Sequence, residues 1–483
     1  MLDRNKILEM LDKFSIPSNM IQRGMVGLQS FVKPMEIVLT QKKPPEIGWS
    51  DTQIRFFLEF LANLDSNHDP EAMQIGEREA RISTPLLHEY TAGFIHGVGR
   101  SGNLKAPQPK AVGGSILNSL SDSFALYTLK KTGMKTLKGA MVVPMGTGMS
   151  IMLAIRGIMH QFPDMKSKTQ LIFPRMDHKS PIKAIELTGL ENIIVESSYG
   201  KQLLENYQSL KRNKLIYTHA NFIEEHGTDA VYVPVQQIKQ QINEKTFGIL
   251  STTSFFPPRA PDDIVGIAQL AKEQNIAHII NNGYGVQSKT LMNMIQEAIK
   301  EGRVDAIIQS TDKNFLTPVG GAIIASPNKE LVNHTSEIYA GRASSSPILH
   351  FVVSLLSMGM KGFQEKLEFQ KEHRALLEIE LNKLAKILDE RVLDVHNPVA
   401  CMFSLSNLNE TQIAALGGFL YNLRVTGPRV VNSTKTDFGT STKGYPYPYI
   451  VVNAAIGAQK EDILEAVEKL EKAYRQVQEK FSK

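Results

Sequence analysis

Between residues 139 and 326 the chain alternates short apolar runs with segments of helical periodicity, and this alternation restricts its fold more than any other feature. The runs are residues 140–143, 171–174, 193–195, 247–253, 277–280, 304–309 and 320–325. Each has strand length and is bounded by turn residues. Strands separated by helices predict βα units on a mostly parallel central sheet. In such sheets ligands collect beyond the carboxyl ends of the strands.

The polar clusters fall at those ends. Pro144-Met145-Gly146-Thr147-Gly148-Met149-Ser150 follows the first run and opens a helix, a small-residue turn suited to cupping a phosphate. Arg175, Asp177, His178 and Lys179 follow the second, and Asn281-Asn282-Gly283-Tyr284-Gly285 follows residues 277–280. Ser310-Thr311-Asp312-Lys313-Asn314-Phe315 lies between the last two runs. A lysine held between buried strands is expected to have a lowered pKa, and a neutral amine forms a Schiff base with an aldehyde cofactor. Taken alone, Lys313 reads first as a solvated loop residue paired with Asp312, since perturbed groups are the minority.

Outside this region the chain divides in two further ways. Residues 1–70 read as a helical extension, with Ile7, Leu8, Leu11 and Phe14 on one face and Pro17 as a stop. Ser50 and Gln53 have the spacing of a capping box ahead of Ile54, Phe57, Leu58 and Leu61. Residues 71–350 form the expected catalytic domain. It opens with Gly76-Glu77-Arg78-Glu79-Ala80-Arg81, His96-Gly97-Val98-Gly99-Arg100-Ser101-Gly102-Asn103 and Gln108-Pro109-Lys110, an anion-binding pattern that matches neither the dinucleotide nor the Walker fingerprint. Residues 351–483 read as an α+β C-terminal domain. A long helix broken near Gly359 and Gly362 leads into strands at 402–405, 423–426 and 449–452, and then into a terminal amphipathic helix.

Bulk properties narrow the classes. A chain of 483 residues, 42% apolar and 21% charged, has room for two or three domains. No apolar run approaches the length of a membrane span, so no transmembrane helix is expected. One cysteine, Cys401, excludes a disulfide framework and a cysteine-based zinc cluster and fits a cytoplasmic protein. No metal site is read from the sequence. The net charge of +5 permits an anionic partner without demanding one.

Together the clusters supply what pyridoxal 5′-phosphate requires. Lys313 offers the amine, Gly146, Thr147 and Gly148 a phosphate cup, His178 a ring to stack, and Asn281 a partner for the ring nitrogen. Asparagine cannot hold that nitrogen protonated as an aspartate does. The electron sink is then weaker and suits β-elimination of a good leaving group.

The chain closely resembles the O-phosphoseryl-tRNA(Sec):selenocysteinyl-tRNA synthase family, archaeal type. The resemblance rests on residues 76–81, 96–102 and 108–110, Thr147-Gly148-Met149-Ser150, His178-Lys179-Ser180-Pro181, Asp312-Lys313-Asn314, Pro318-Val319-Gly320-Gly321, Gly341-Arg342-Ala343-Ser344, residues 423–429 and Asn453-Ala454-Ala455-Ile456-Gly457. It implies a fold-type-I, aspartate aminotransferase-like α/β architecture and a homotetramer built as a dimer of dimers. It also implies conversion of phosphoseryl-tRNA(Sec) to selenocysteinyl-tRNA(Sec) with selenophosphate, through a dehydroalanyl-tRNA. Neither membrane nor DNA is implied as a partner.

The resemblance also implies residue roles. Arg100, Ser101, Gln108, Lys179 and Arg342 would hold the substrate phosphate, and Arg78 would reach the cofactor phosphate of the neighbouring subunit. Glu77 would repel free amino acids through their carboxylate. Arg429 and Lys300 would contact the tRNA, although Lys300 matches poorly in its surroundings. Residues 199–228 depart from the pattern as an insertion, read as a surface excursion in preference to an extra tRNA contact. Three rivals remain at this stage: a cysteinyl-tRNA-forming relative, a generic amino-acid lyase or decarboxylase, and a catalytically silent tRNA-binding protein. The lone cysteine, the phosphate-binding arginines and the intact surroundings of Lys313 respectively argue against them.

Overall fold

The computed structural model describes residues 4–209, 214–433 and 438–481. Its centre is a seven-stranded sheet. The strands are β1 (Gly139–Val143), β2 (Gln170–Pro174), β3 (Glu191–Val195), β6 (Thr246–Thr252), β7 (Ala277–Asn281), β8 (Ala306–Ser310) and β9 (Ala322–Ser326). The spatial order is β1-β9-β8-β7-β6-β2-β3. Only β9 runs against its neighbours; every other adjacent pair is parallel. β1, β6, β7, β8 and β9 are buried throughout, which is why they read as unbroken apolar runs without alternation. Between β3 and β6 a two-stranded ribbon, β4 (Ser198–Tyr199) and β5 (Val231–Tyr232), brackets the 199–228 segment. That segment forms two helices, Gly200–Ser209 and Lys214–His226. Lys211 and Arg212 lie outside the described residues.

The C-terminal layer is a three-stranded antiparallel sheet, β10 (Ala400–Ser404), β11 (Arg429–Val431) and β12 (Tyr449–Asn453), in the order β10-β12-β11. It packs against the helices Ser346–Leu388 and Lys460–Lys480 through a core of its own. The strand expected at 423–426 is not formed. Those residues close the helix Glu410–Asn422: Arg424 turns left-handed (φ 63°), and the Val425 N–H donates to the Leu420 carbonyl (2.9 Å). Leu423 and Val425 are apolar because they pack on that core as a helix cap, and their alternation imitates a strand.

The first part of the helix Ser346–Leu388 is apolar enough to pass for a membrane span by length and composition, with mean hydropathy 1.2 over 18 residues. It is instead a core helix: Ile348, Phe351, Val352, Leu355 and Leu356 are fully buried. The predicted break is at Gly359, whose φ of 64° interrupts the helix, while Gly362 remains helical. Residues 45–49 lie across the break. The Trp49 N–H donates to the Leu356 carbonyl (2.8 Å), and the N–H groups of Met360 and Lys361 donate to the carbonyls of Pro45 and Glu46 (2.8 and 3.0 Å). The helices Ser18–Gln41 and Asp51–Ala62 of the extension join the main core through Met35, Val38, Ile54, Phe57 and Leu61. The helix Asp51–Ala62 carries the expected capping box, with Ser50 and Gln53 bonded reciprocally.

Candidate active site

Beyond the carboxyl ends of β6, β7 and β8 lies a cavity of about 290 Å³. Thr147, Gly148, His178, Asn281 and Lys313, chosen from four separate stretches of sequence, all line it. The C-terminal layer closes one side with Asn453, Ala455 and Ile456.

Lys313 sits on a one-turn helix, Thr311–Phe315, that follows β8. The side chain is exposed, contrary to the expectation of a lysine buried between strands. The helical turn explains the difference, since its period sends Thr311, Asn314 and Phe315 into the core and Lys313 outward. No ion pair to Asp312 forms; that carboxylate accepts from the Ser310 hydroxyl instead. The turn itself is fixed. Asn314 Nδ2 donates to the carbonyls of Gly283 (2.9 Å) and Ser310 (2.7 Å). Gln287 Nε2 donates to the Lys313 carbonyl (2.8 Å), while its Oε1 accepts from the Ile456 N–H (2.7 Å). One glutamine thus ties the lysine turn to the C-terminal layer.

The other walls have matching chemistry. Asn281 ends β7 with its Oδ1 buried and without a hydrogen-bond partner, a state that costs about 1–3 kcal/mol unless a ligand's donor meets it. His178 is half-buried. Burial first, and then the charges of Lys313 and Arg429, hold its imidazole below the ordinary range, so it is a neutral ring near pH 7. It lies 5.5 Å from the Phe255 ring. Gly146 precedes the helix Thr147–Gln161 in extended conformation, and no side chain caps the first turn, which leaves its N–H groups free for an anion. A Cβ at Gly148 would stand 2.2 Å from Ser180 Oγ, so a larger residue there would require the serine hydroxyl to move. An orphaned acceptor, a neutral ring, an uncapped helix start and an amine without a partner fit a flat, phosphate-bearing aldehyde such as pyridoxal 5′-phosphate.

Arg429, at the start of β11, stacks 5.6 Å above the ring of Phe256, which lines the same cavity. Asp177 holds the neighbouring loop. Its Oδ2 accepts from the N–H groups of Gly439 and Ser441 (2.7 Å each), and its carboxylate pairs with Arg175. Sequence reasoning placed Asp177 in the right cluster without this role. It missed Phe255 and Phe256, which follow β6 as the polar clusters follow the other strands but are apolar. Nothing local marks Gln287.

Of the remaining expected residues, none of which lines the cavity, those on the loops 76–81, 96–110 and 341–344 form a second cluster, and Lys179 and Lys300 lie outside it. The loops 96–103 and 341–344 are joined by a Val98–Ala343 backbone pair, and Arg342 Nη2 donates to the His96 carbonyl. Arg342 Nε is buried without a partner, and burial followed by the charge of Arg78 lowers the guanidinium's pKa. Lys110 pairs with Glu79. Arg78 is exposed, 3.7 Å from the exposed Glu77. Arg100 and Ser101 are exposed at a turn closed by the Arg100–Asn103 backbone pair, and the Gln108 N–H donates to Ser115 Oγ (2.9 Å). Lys179 is exposed in the first turn of the helix Lys179–Leu187, beside His178. Lys300 ends the helix Lys289–Glu301, which returns from the carboxyl end of β7 toward the start of β8, so it lies at the opposite edge of the sheet, paired with Glu297 (3.2 Å). Cys401 is buried on β10, its thiol pushed up to about 12, and cannot serve as a nucleophile near neutral pH.

Comparison with known proteins adds independent findings. Residues 64–475 match the family model described as O-phosphoseryl-tRNA(Sec) selenium transferase, SepSecS. The chain is 40% identical over 461 residues to the O-phosphoseryl-tRNA(Sec) selenium transferase of Methanopyrus kandleri, spanning 95% of this chain and 98% of that protein. It is 34% identical to the one of Dictyostelium discoideum, at 95% and 97% coverage. A crystal structure of an archaeal O-phosphoseryl-tRNA(Sec) selenium transferase superposes with a TM-score of 0.84 at 39% identity, covering 95% of this chain and 98% of that one. A sphingosine-1-phosphate lyase from Burkholderia pseudomallei shares the fold alone, with a TM-score of 0.58 at 12% identity over 97% of this chain and 93% of that one.

Proposed function

This chain belongs to the O-phosphoseryl-tRNA(Sec) selenium transferase family, and on that premise we propose how its own residues convert O-phosphoseryl-tRNA(Sec) to selenocysteinyl-tRNA(Sec). The fold is that of fold-type-I pyridoxal-phosphate enzymes. The observation that carries the reading is the convergence of Lys313, His178, Asn281 and the Thr147-Gly148 turn on one cavity.

Pyridoxal 5′-phosphate, held by Lys313, supplies when bound an aldehyde for the substrate amine and an electron sink for the adjacent carbon. Gly146, Thr147 and Gly148 would receive its phosphate, His178 would face the ring, and Asn281 would meet the ring nitrogen, its Oδ1 accepting whenever that nitrogen carries a proton. Lys313 Nζ takes the α-proton of the phosphoseryl group as the phosphate leaves, and returns a proton to that carbon once selenophosphate has added through selenium; water then cleaves the Se–P bond and releases a second phosphate. Asn281, being neutral, does not enforce protonation of the ring. The good leaving group makes up for the weaker sink.

The arginine cluster serves the substrate phosphate, and it does so for a second copy. Arg342, Arg100, Ser101, Gln108 and Lys179 hold the phosphate, and Arg78 reaches the partner's cofactor. Surface beside the cluster supports a partner: Met73 and Ile75 are 88% and 93% exposed, and Tyr90 is 69% exposed. The assembly is a homotetramer, a dimer of dimers, acting in the cytoplasm. Glu77 disfavours free amino acids, whose carboxylate it repels, while an ester-linked substrate carries no such charge. Arg429 meets the acceptor end of the tRNA at the cavity mouth, and Lys300 contacts the tRNA elsewhere.

The deciding experiment supplies the purified protein with O-phosphoseryl-tRNA(Sec) and either selenophosphate or thiophosphate, then identifies the aminoacyl product by mass spectrometry. Selenocysteinyl-tRNA is expected from the first. Phosphate release by Lys313→Ala at the wild-type rate would reject the mechanism.

A further inference from the structure

Away from the cavity, two packed helices bring three metal-ligating side chains together. His160 lies in the last turn of the helix Thr147–Gln161, and His334 and Glu337 lie one turn apart on the helix Lys329–Glu337. The helices approach closely at Gly157, where a Cβ would stand 2.1 Å from Thr335 Oγ1. His160 Nε2 lies 3.7 Å from Glu337 Oε2, and His334 Nδ1 lies 3.2 Å from the same oxygen. The imidazole centroids are 5.4 Å apart at 72°, so the rings do not stack. All three ligand atoms fall within 4.8 Å of one another, and among the described residues this is the only such group.

We propose that His160, His334 and Glu337 form a zinc-binding site. A tetrahedral Zn²⁺ with bonds near 2.0–2.1 Å sets its ligand atoms about 3.4 Å apart. Two of the three separations already lie near that value. The third closes by side-chain rotation, which the partial exposure of all three residues allows. Two imidazoles and a carboxylate are a donor set that zinc accepts, and three protein ligands leave one position for water. His160 also lines a groove with Met145, Met149, Met152, Arg156 and Lys166. The two cations weaken affinity for a metal but favour hydroxide or a carboxylate as the fourth ligand. Bound zinc joins the far end of the helix that begins at Thr147 to its neighbour. It therefore supports the site's scaffold without entering the reaction. A histidine–glutamate ion-pair network is the competing account of the same geometry, and it makes no use of metal.

The test uses the full-length holoenzyme without a histidine tag, stripped of metal and titrated with zinc chloride against a chromophoric zinc indicator. One equivalent per chain is expected. His334→Ala and Glu337→Gln remove a direct ligand and should weaken binding by at least the roughly ten- to hundredfold that loss of an outer partner costs. Glu330→Gln, an exposed acid on the same helix, should leave it unchanged. Zinc should raise the thermal midpoint of the wild type and not those of the two ligand variants. Zinc K-edge absorption should show two imidazoles. Absence of a stoichiometric equivalent in the wild type, or its retention in both ligand variants, overturns the proposal.

Discussion

The cavity around Lys313 and the cluster around Arg342 are built on opposite plans. The cavity lies beyond the carboxyl ends of the fully buried strands β6, β7 and β8, its lysine turn is held by hydrogen bonds from Asn314 and Gln287, and its ring-facing groups are a neutral histidine and an asparagine. The cluster sits on turns, sets Arg78 against Arg342, and carries exposed apolar neighbours. Like charges side by side are unfavourable until an anion arrives. The contrast teaches that the fold fixes the groups of the cavity by burial and hydrogen bonds, whereas in the cluster it sets cations side by side on exposed turns.

The strongest way to break the comparison is Lys313→Ala. It should lower turnover by roughly 10²- to 10⁴-fold or more, the range of a lost general base, while tRNA binding by filter assay persists. Loss of the borohydride-trappable absorbance should accompany it. Hybrid dimers come next. Mixing Lys313→Ala with Arg342→Ala chains, assayed at phosphoseryl-tRNA far below the raised KM of the Arg342 variant, leaves each homodimer nearly silent. If the cluster acts across subunits, the hybrid regains one working site, and random pairing gives roughly a quarter of wild-type activity. No recovery would place the cluster in its own chain's cavity. Arg342→Ala alone should raise KM for phosphoseryl-tRNA on the order of ten- to a hundredfold, from loss of a charged hydrogen bond, with a smaller change in kcat.

The smallest effect concerns the floor beneath the cavity. His278, wholly buried on β7 and bonded to Ser251 Oγ (2.7 Å), has its pKa lowered to about 4 by burial. The unfolded chain binds a proton near pH 6.5, where the native state does not. The contribution of His278 is therefore full above about 6.5 and falls by about 3 kcal/mol as the pH drops toward 4. Asp122, raised to about 6 by burial, acts with the opposite sign over the same range, so the decline should be read in the difference in denaturant midpoint between the wild type and His278→Gln, and a difference flat in pH would refute it.

Much of this was legible in the sequence. The strands of the central sheet read directly because strands buried on both faces cannot hide their apolar runs. Thr147, Gly148, His178, Asn281 and Lys313 read directly because each follows such a run. The exposure of Lys313 was not legible, because a one-turn helix has no sequence long enough to announce its phase. The 423–426 stretch misled because a helix cap and a strand can share the same alternation of apolar residues. Gln287 was hidden for another reason: its partners, Lys313 and Ile456, are distant in the chain, and only the folded layers bring them within reach.

The break at Gly359 has a consequence for the order in which the molecule is made. Its carbonyls and N–H groups are satisfied by residues 45–49, and Gly48 approaches so closely that a Cβ there would stand 1.9 Å from the Ser357 oxygen. During synthesis, residues 45–49 leave the ribosome long before the helix they must brace. The helical extension therefore spends most of translation with its buried face, Phe57 and Leu61 included, lacking its final partner. A nascent chain arrested before residue 346 should expose that face to chaperones, and release should follow only when the long helix emerges.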